Sequence, residues 1–294
     1  MDNVKEGFIP VTGGNVWYRI SGNGPGIPLL ILHGGPGSKS SDSDPLRRLG
    51  ADRPVIHYDQ LGSGKSDRPS DTSLWTVERF VEELGQVVET LGLEEFHLLG
   101  HSWGTMLATS YLFNKPGGVR SVIFSGPALD AQRWERDQRN YLKQFPEDIQ
   151  ETIERSEREG TTDSAEYNEA MDAYYKRHMC RVDPWPEELV EDMKGLNHQV
   201  YNHMWGASEF TVTGTLKYFD ATERLPEIGI PALFTCGRYD EATPEATEYY
   251  AGLVPDSEFH VFENSSHMPG VEEPEAYVET VREWVNRQEM RPGA

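Results

Sequence analysis

Phe96-His97-Leu98-Leu99-Gly100-His101-Ser102-Trp103-Gly104-Thr105 decides the architecture of this 294-residue chain. The apolar run Phe96–Leu99 reads as a buried strand, and the spacing after it predicts a helix over Thr105–Phe113. Between them lies G-x-S-x-G, a pattern that puts a serine on a sharp, strained strand-to-helix turn with its hydroxyl exposed at the strand's end. Small residues flank that serine because strand and helix must close tightly around it. The pattern alone is common. Its placement between a strand and a helix makes it informative.

Working outward, the surrounding segments keep the same alternation. Phe8–Thr12 and Val16–Ile20 read as a hairpin joined at Gly13-Gly14. Leu29–Leu32, Val55–Tyr58 and Val119–Phe124 are short apolar runs of the kind found in parallel strands buried on both faces. Thr76–Leu91 carries apolar residues at helical spacing, with Thr76 placed as the cap. Strands alternating with helices predict an α/β fold, a mostly parallel central sheet with helices on both faces. From about 130 to 220 the alternation stops, and only helical stretches are visible: Ile149–Arg158, Tyr167–His178 and Glu187–His203. Ala232–Thr235 and Phe259–Phe262 then resume the strand pattern, and Pro274–Arg287 closes the chain as an amphipathic helix. The expected organisation is a core of residues 1–129 and 221–294 interrupted by a helical cap over 130–220.

A serine hydroxyl is a weak nucleophile at neutral pH and needs a base that is itself oriented by a third group. Hydrolases built on this turn carry the three in the chain order serine, acid, histidine. Asp240 follows the strand Ala232–Thr235, and His267 follows the strand Phe259–Phe262. Both therefore fall at strand ends in the required order, which makes Ser102, Asp240 and His267 the candidate catalytic set. Glu241 adjoins Asp240 as a competing acid. His260 is expected to pack inside its strand, and His101 to support the turn rather than act as base.

Acyl transfer also needs donors fixed at the developing oxyanion. His33-Gly34-Gly35-Pro36-Gly37 follows the strand Leu29–Leu32 directly, so the backbone N–H groups of Gly35 and Trp103 are the candidate oxyanion hole. Pro36 has no N–H and can only stiffen the loop. Gly62-Ser63-Gly64-Lys65-Ser66 imitates the end of a phosphate-binding loop, but Asp59 stands where that pattern requires glycine. A tight turn is the better reading there.

Composition narrows the partners. With 27 Lys+Arg against 49 Asp+Glu, the net charge is −22, which disfavours nucleic acid and anionic membrane surfaces. Residues 130–220 hold 20 acidic against 11 basic side chains. Hydrophobic residues at 37% suffice for a packed core. Two cysteines, Cys180 and Cys236, form no disulfide framework, and Met1–Glu6 lacks a signal-peptide start. A soluble cytoplasmic protein is expected, without cofactor and without the residue spacing of a zinc site.

His33–Gly37, Asp59-Gln60-Leu61-Gly62-Ser63-Gly64-Lys65-Ser66 and Gly100–Gly104 together resemble the markers of the proline iminopeptidase family, serine aminopeptidases of the α/β-hydrolase fold. The likeness runs over essentially the whole chain. Ser208–Gly214 and Gly237–Glu241 look most like tricorn-interacting aminopeptidases and related L-amino-acid amidases. The resemblance implies that Glu209 and Glu241 hold the free α-ammonium group of a short peptide or amino-acid amide. It also implies a departure: many prolyl-specific members have a second glycine after the elbow, where this chain has Thr105. An esterase, lactonase or biosynthetic amidase is the alternative within the same chemistry, and a ligand-binding receptor with a hydrolase pocket is the alternative outside it.

Overall fold

The computed structural model describes residues 3–41 and 44–291. β1 (Val4–Val11) and β2 (Gly14–Ser21) form the expected hairpin, followed by β3 (Leu29–Leu32) and β4 (Val55–Tyr58). Both of the latter are buried along their whole length; β3 is apolar throughout, and in β4 the one polar side chain, His57, is paired with Asp44. α1 (Val77–Leu91) begins where Thr76 accepts a hydrogen bond from the Arg79 N–H and ends at Gly92, whose φ of 65° suits a left-handed cap. It buries Phe80, Leu84 and Val87 on one face, each contributing about 1.5–3 kcal/mol of apolar burial. Truncating Leu84 to alanine would cost about 2–5 kcal/mol.

β5 (Phe96–His101), α2 (Trp103–Leu112) and β6 (Val119–Ser125) complete the first half. α2 starts at Trp103, two residues earlier than the sequence pattern suggests, so Ser102 is the only residue between strand and helix. Such closeness depends on the two flanking glycines. A Cβ on Gly100 would lie 2.3 Å from the Gly104 carbonyl oxygen, and one on Gly104 would lie 2.3 Å from that of Leu32.

Five α-helices and a short 3-10 helix (Thr222–Glu227) separate β6 from the next strand of the sheet, the α-helices being α3 (Ala131–Leu142), α4 (Glu147–Glu159), α5 (Ala165–His178), α6 (Glu187–Lys194) and α7 (His198–Met204). After α7 come two very short antiparallel strands, β7 (Gly206–Ser208) and β8 (Thr211–Val212). This region differs from the sequence reading in three ways. α3 was not expected, because its buried stripe of Trp134, Gln138 and Leu142 has a polar residue in the middle. The single stretch Glu187–His203 is two helices, because Asn197 is drawn into tertiary contacts. Its N–H donates to the Gly37 carbonyl and its side chain to the Gly62 carbonyl, while its Oδ1 caps α7. The purely helical insert also contains the β7–β8 ribbon, too short to show alternation. A cluster including Leu142, Ile153, Tyr174 and Phe210 packs this region internally, apart from the two clusters that flank the sheet.

The chain then returns through β9 (Ala232–Gly237), α8 (Pro244–Leu253), β10 (Ser257–Phe262), α9 (Pro269–Glu272) and α10 (Pro274–Glu289). The eight-stranded sheet has the order β1-β2-β4-β3-β5-β6-β9-β10. β1–β2 and β2–β4 pair antiparallel, and the remaining pairs are parallel. Parallel strands bring their carboxyl ends to one edge, where α/β folds bind ligands. At that edge β4, β3 and β5 end in the Asp59, His33 and Ser102 segments, and β9 and β10 end before Asp240 and His267. His260 corrects the sequence reading: it lies on the exposed side of the edge strand β10, its ring edge-on to Phe262.

Candidate active site

Ser102 sits in a backbone conformation that side chains seldom adopt, φ 53° and ψ −123°. Strain of this kind persists only where surrounding structure enforces it. Here the Ser102 N–H donates to the Ser125 carbonyl at the end of β6. The Ser102 carbonyl accepts from the Thr105 hydroxyl at 2.6 Å, and Thr105 Oγ1 in turn accepts from the Ala128 N–H. Thr105 thus ties the elbow to the loop beyond β6.

His267 donates from Nδ1 to Asp240 Oδ1 at 2.7 Å. Asp240 is fully buried and its oxygens also accept from the N–H groups of Gly237 and Ala242. These contacts fix the carboxylate, and the carboxylate fixes the imidazole tautomer, leaving Nε2 for the cavity. Burial opposes charge on His267, but Asp240, Glu241 and Glu209 outweigh it and push its pKa up to about 9. His101 packs beside the His267 ring. Its Nε2 donates to the His267 carbonyl, and burial lowers its pKa to about 4, so it supports the turn as a neutral ring.

One cavity of about 990 Å³ is lined by Gly35, Ser102, Glu209, Glu241 and His267. The structure therefore gathers the serine, the histidine, the glycine-rich loop and both glutamates, with Asp240 behind the histidine. Trp103 occupies the first position of α2, where an N–H has no intrahelical acceptor. Among the described residues, neither its N–H nor that of Gly35 meets one.

Glu209 is at the turn between β7 and β8 rather than on a solvated helix face. Tyr201 donates its hydroxyl to Glu209 Oε1 at 2.5 Å, and Trp134 donates its indole N–H to Oε2 at 3.1 Å. Burial raises the carboxyl's pKa against these hydrogen bonds. Glu241 is held from behind, its carbonyl accepting from Gln138 Nε2. Its Oε1 lies 3.6 Å from His267 Nε2, and its Oε2 is buried with no hydrogen-bond partner among the described residues. Burial and the neighbouring Glu209 charge drive its pKa well above the usual carboxylate range. Glu209 and Glu241 thus both line the cavity that His267 borders. Trp134 was missed in the sequence because α3 was missed, and no local signal links residues 134 and 209. Of the apolar cap residues, Tyr201 lines the cavity, whereas Phe210 is fully buried in the helical cluster and Trp205 packs edge-on against Trp134.

Fold and site together define a serine hydrolase of the α/β-hydrolase class, and a family model described as alpha/beta hydrolase fold matches residues 27–274. The chain is 55% identical over 283 residues to a proline iminopeptidase of Heyndrickxia coagulans, covering 96% of this chain and 98% of the other. A Clostridium botulinum proline iminopeptidase is 39% identical over 97% of this chain and 99% of its own. Among solved structures, VinJ superposes with a TM-score of 0.91 at 35% identity, covering 97% and 99% of the two chains. The proline iminopeptidase of Mycobacterium smegmatis gives 0.89 at 31%, covering 97% and 98%. The chain belongs to the proline iminopeptidase family.

Proposed function

We propose that this protein is a serine aminopeptidase that releases an N-terminal residue from short peptides or amino-acid amides. The observation that carries this reading is the pair Glu209 and Glu241, a half-buried and a buried carboxyl group lining the cavity that Ser102 and His267 share. A cationic α-amino group adjacent to the scissile carbonyl would satisfy the unpartnered Glu241 oxygen. An N-blocked substrate would leave it buried and unpaired, an arrangement that disfavours binding by several-fold to many-fold.

In this mechanism His267 Nε2 takes the proton of Ser102 Oγ as the oxygen attacks the carbonyl carbon. Trp103 and Gly35 N–H groups hold the resulting oxyanion. Collapse breaks the amide bond, His267 protonates the departing amine, and an acyl-enzyme remains on Ser102. Water, deprotonated by His267, then releases the amino acid, with Asp240 holding the imidazole throughout. The segment 130–220 serves as a cap over the site. Its ends are pinned by the Asp130–Asp220 bridge, and its helices limit access to small substrates. Among the described residues no helix is long and apolar enough to cross a membrane. Two free, buried cysteines support action in a reducing, cytoplasmic compartment.

The test is a panel of aminoacyl arylamides, their N-acetyl forms, amino-acid amides and simple esters, with Ser102→Ala as control. Cleavage of free-amino substrates that is lost in the variant supports the assignment. Esters cleaved in preference to both amine-bearing classes would point to the esterase alternative, and turnover of none would point to a receptor.

A further inference from the structure

The segment after β4, Asp59–Ser66, has so far served only as a turn. Asp59 accounts for most of that role: its carboxylate accepts from the N–H groups of Ser40 and Lys65. Gln60 does something different. It is buried, and its side chain bridges the two loops that carry the oxyanion donors. Nε2 donates to the His33 carbonyl at 3.1 Å, and Oε1 accepts from the Trp103 indole N–H at 2.8 Å.

The Gln60 backbone N–H, meanwhile, donates to His33 Nε2 at 3.0 Å. A backbone N–H can only donate, so His33 Nε2 carries no proton. The proton is on Nδ1, which lies 2.8 Å from the Gly34 carbonyl oxygen and must donate to it. Burial also holds the His33 pKa below its ordinary value, in keeping with a neutral ring. The Gly34–Gly35 peptide is trans, and in a trans peptide the C=O and N–H point in opposite directions. Anchoring the Gly34 oxygen on one side therefore turns the Gly35 N–H to the other.

We propose that Gln60 and His33 are positioning residues for the oxyanion hole: Gln60 fixes the His33 tautomer and straps the glycine loop to Trp103, and His33 aims the Gly35 N–H. This inference rests on the assignment of Gly35 and Trp103 as oxyanion donors. It assigns the glutamine and histidine of two separate sequence motifs to one device, aimed at the transition state rather than at substrate binding.

Asparagine and glutamine at position 33 separate the two halves of the histidine's role. Asn Nδ2 stands where His Nδ1 donates, and Gln Oε1 stands where His Nε2 accepts. His33→Gln and Gln60→Leu are therefore expected to lower kcat on a prolyl arylamide by about 10–100-fold, less than outright loss of a donor. KM should stay within about threefold. Affinity for an α-aminoboronic acid, whose tetrahedral adduct with Ser102 places an oxygen in the hole, should fall in parallel with kcat. Inhibition by free proline, which needs the ammonium site but no oxyanion, should persist. His33→Asn should recover most of the loss. Equal behaviour of His33→Asn and His33→Gln, or boronate affinity untouched in both, would overturn the proposal. So would loss of proline inhibition in His33→Gln, which would make the residue merely structural. Should Gln60→Leu fail to fold, the position 33 pair decides alone. Failure of the underlying hydrolase reading is seen separately, as activity that survives Ser102→Ala.

Discussion

The sheet edge and the helical region above it hold their functional groups by different means. At the sheet edge, backbone geometry does the holding. Ser102 is forced into its conformation by strand, helix and the Ser125 carbonyl, and Asp240 is gripped by two N–H groups within its own turn. Above the sheet, side chains hold side chains. Glu209 depends on Tyr201 and Trp134, and Trp134 comes from a helix 75 residues earlier in the chain. On the function proposed above, this is a division of labour: the core would carry the bond-making chemistry, and the cap would carry recognition of the amine. Glu241 bridges the two, following Asp240 in sequence while facing Glu209 across the cavity.

Perturbing each side in turn sharpens the division. The largest effect is expected from Ser102→Ala, with kcat reduced by at least about 10⁴-fold on every substrate, and from Asp240→Asn, reduced by about 10³–10⁴-fold. Steady-state rates with the thermal unfolding midpoint as a folding check would establish both. Glu209→Gln should lower kcat/KM for free-amino substrates on the order of 10²-fold, most of it in KM, the size expected for removing one partner of a charge pair that the bound substrate would desolvate. A loss confined to kcat would place Glu209 in the chemistry and break the comparison.

The pH dependence probes the bridge between the regions. Carboxylates around His267 hold its pKa near 9 in the free enzyme, and only the unprotonated ring can accept the serine proton. Inactivation by a neutral fluorophosphonate, which brings no ammonium group, should therefore accelerate with rising pH until about 9. The ionised form of Glu241 favours the protonated ring, so in Glu241→Gln the rise should shift to lower pH and inactivation at pH 7 should speed up. A profile that stays put in the variant would separate Glu241 from the base. The smallest effect is expected from Ile153→Ala in the helical cluster. It costs about 2–5 kcal/mol of local packing and should raise KM for peptides while changing kcat on a small ester little.

The same contrast explains what could be read from the residues alone. Leu29–Leu32 and Val55–Tyr58 were legible to the residue because a strand buried on both faces is mostly apolar, His57 being the one polar exception. The meeting of Ser102, Asp240 and His267 at one edge was legible because parallel strands bring their carboxyl ends together. α3 was hidden by Gln138, a polar residue in its buried stripe that donates to the Glu241 carbonyl. The break at Asn197 was hidden because its cause lies in Gly37 and Gly62, far away in sequence. Glu209 came only through family resemblance. One acidic residue among the 20 between 130 and 220 has no local mark of burial.

The most direct test is the ratio of kcat/KM for a prolyl arylamide to that for its N-acetyl form, measured in the wild type, Glu209→Gln and Asp240→Asn. Chemistry in the core and recognition in the cap predict a large ratio in the wild type, a collapsed ratio in Glu209→Gln, and a preserved ratio at much lower rates in Asp240→Asn. A ratio near one in the wild type, or one that collapses in Asp240→Asn and survives in Glu209→Gln, would contradict it.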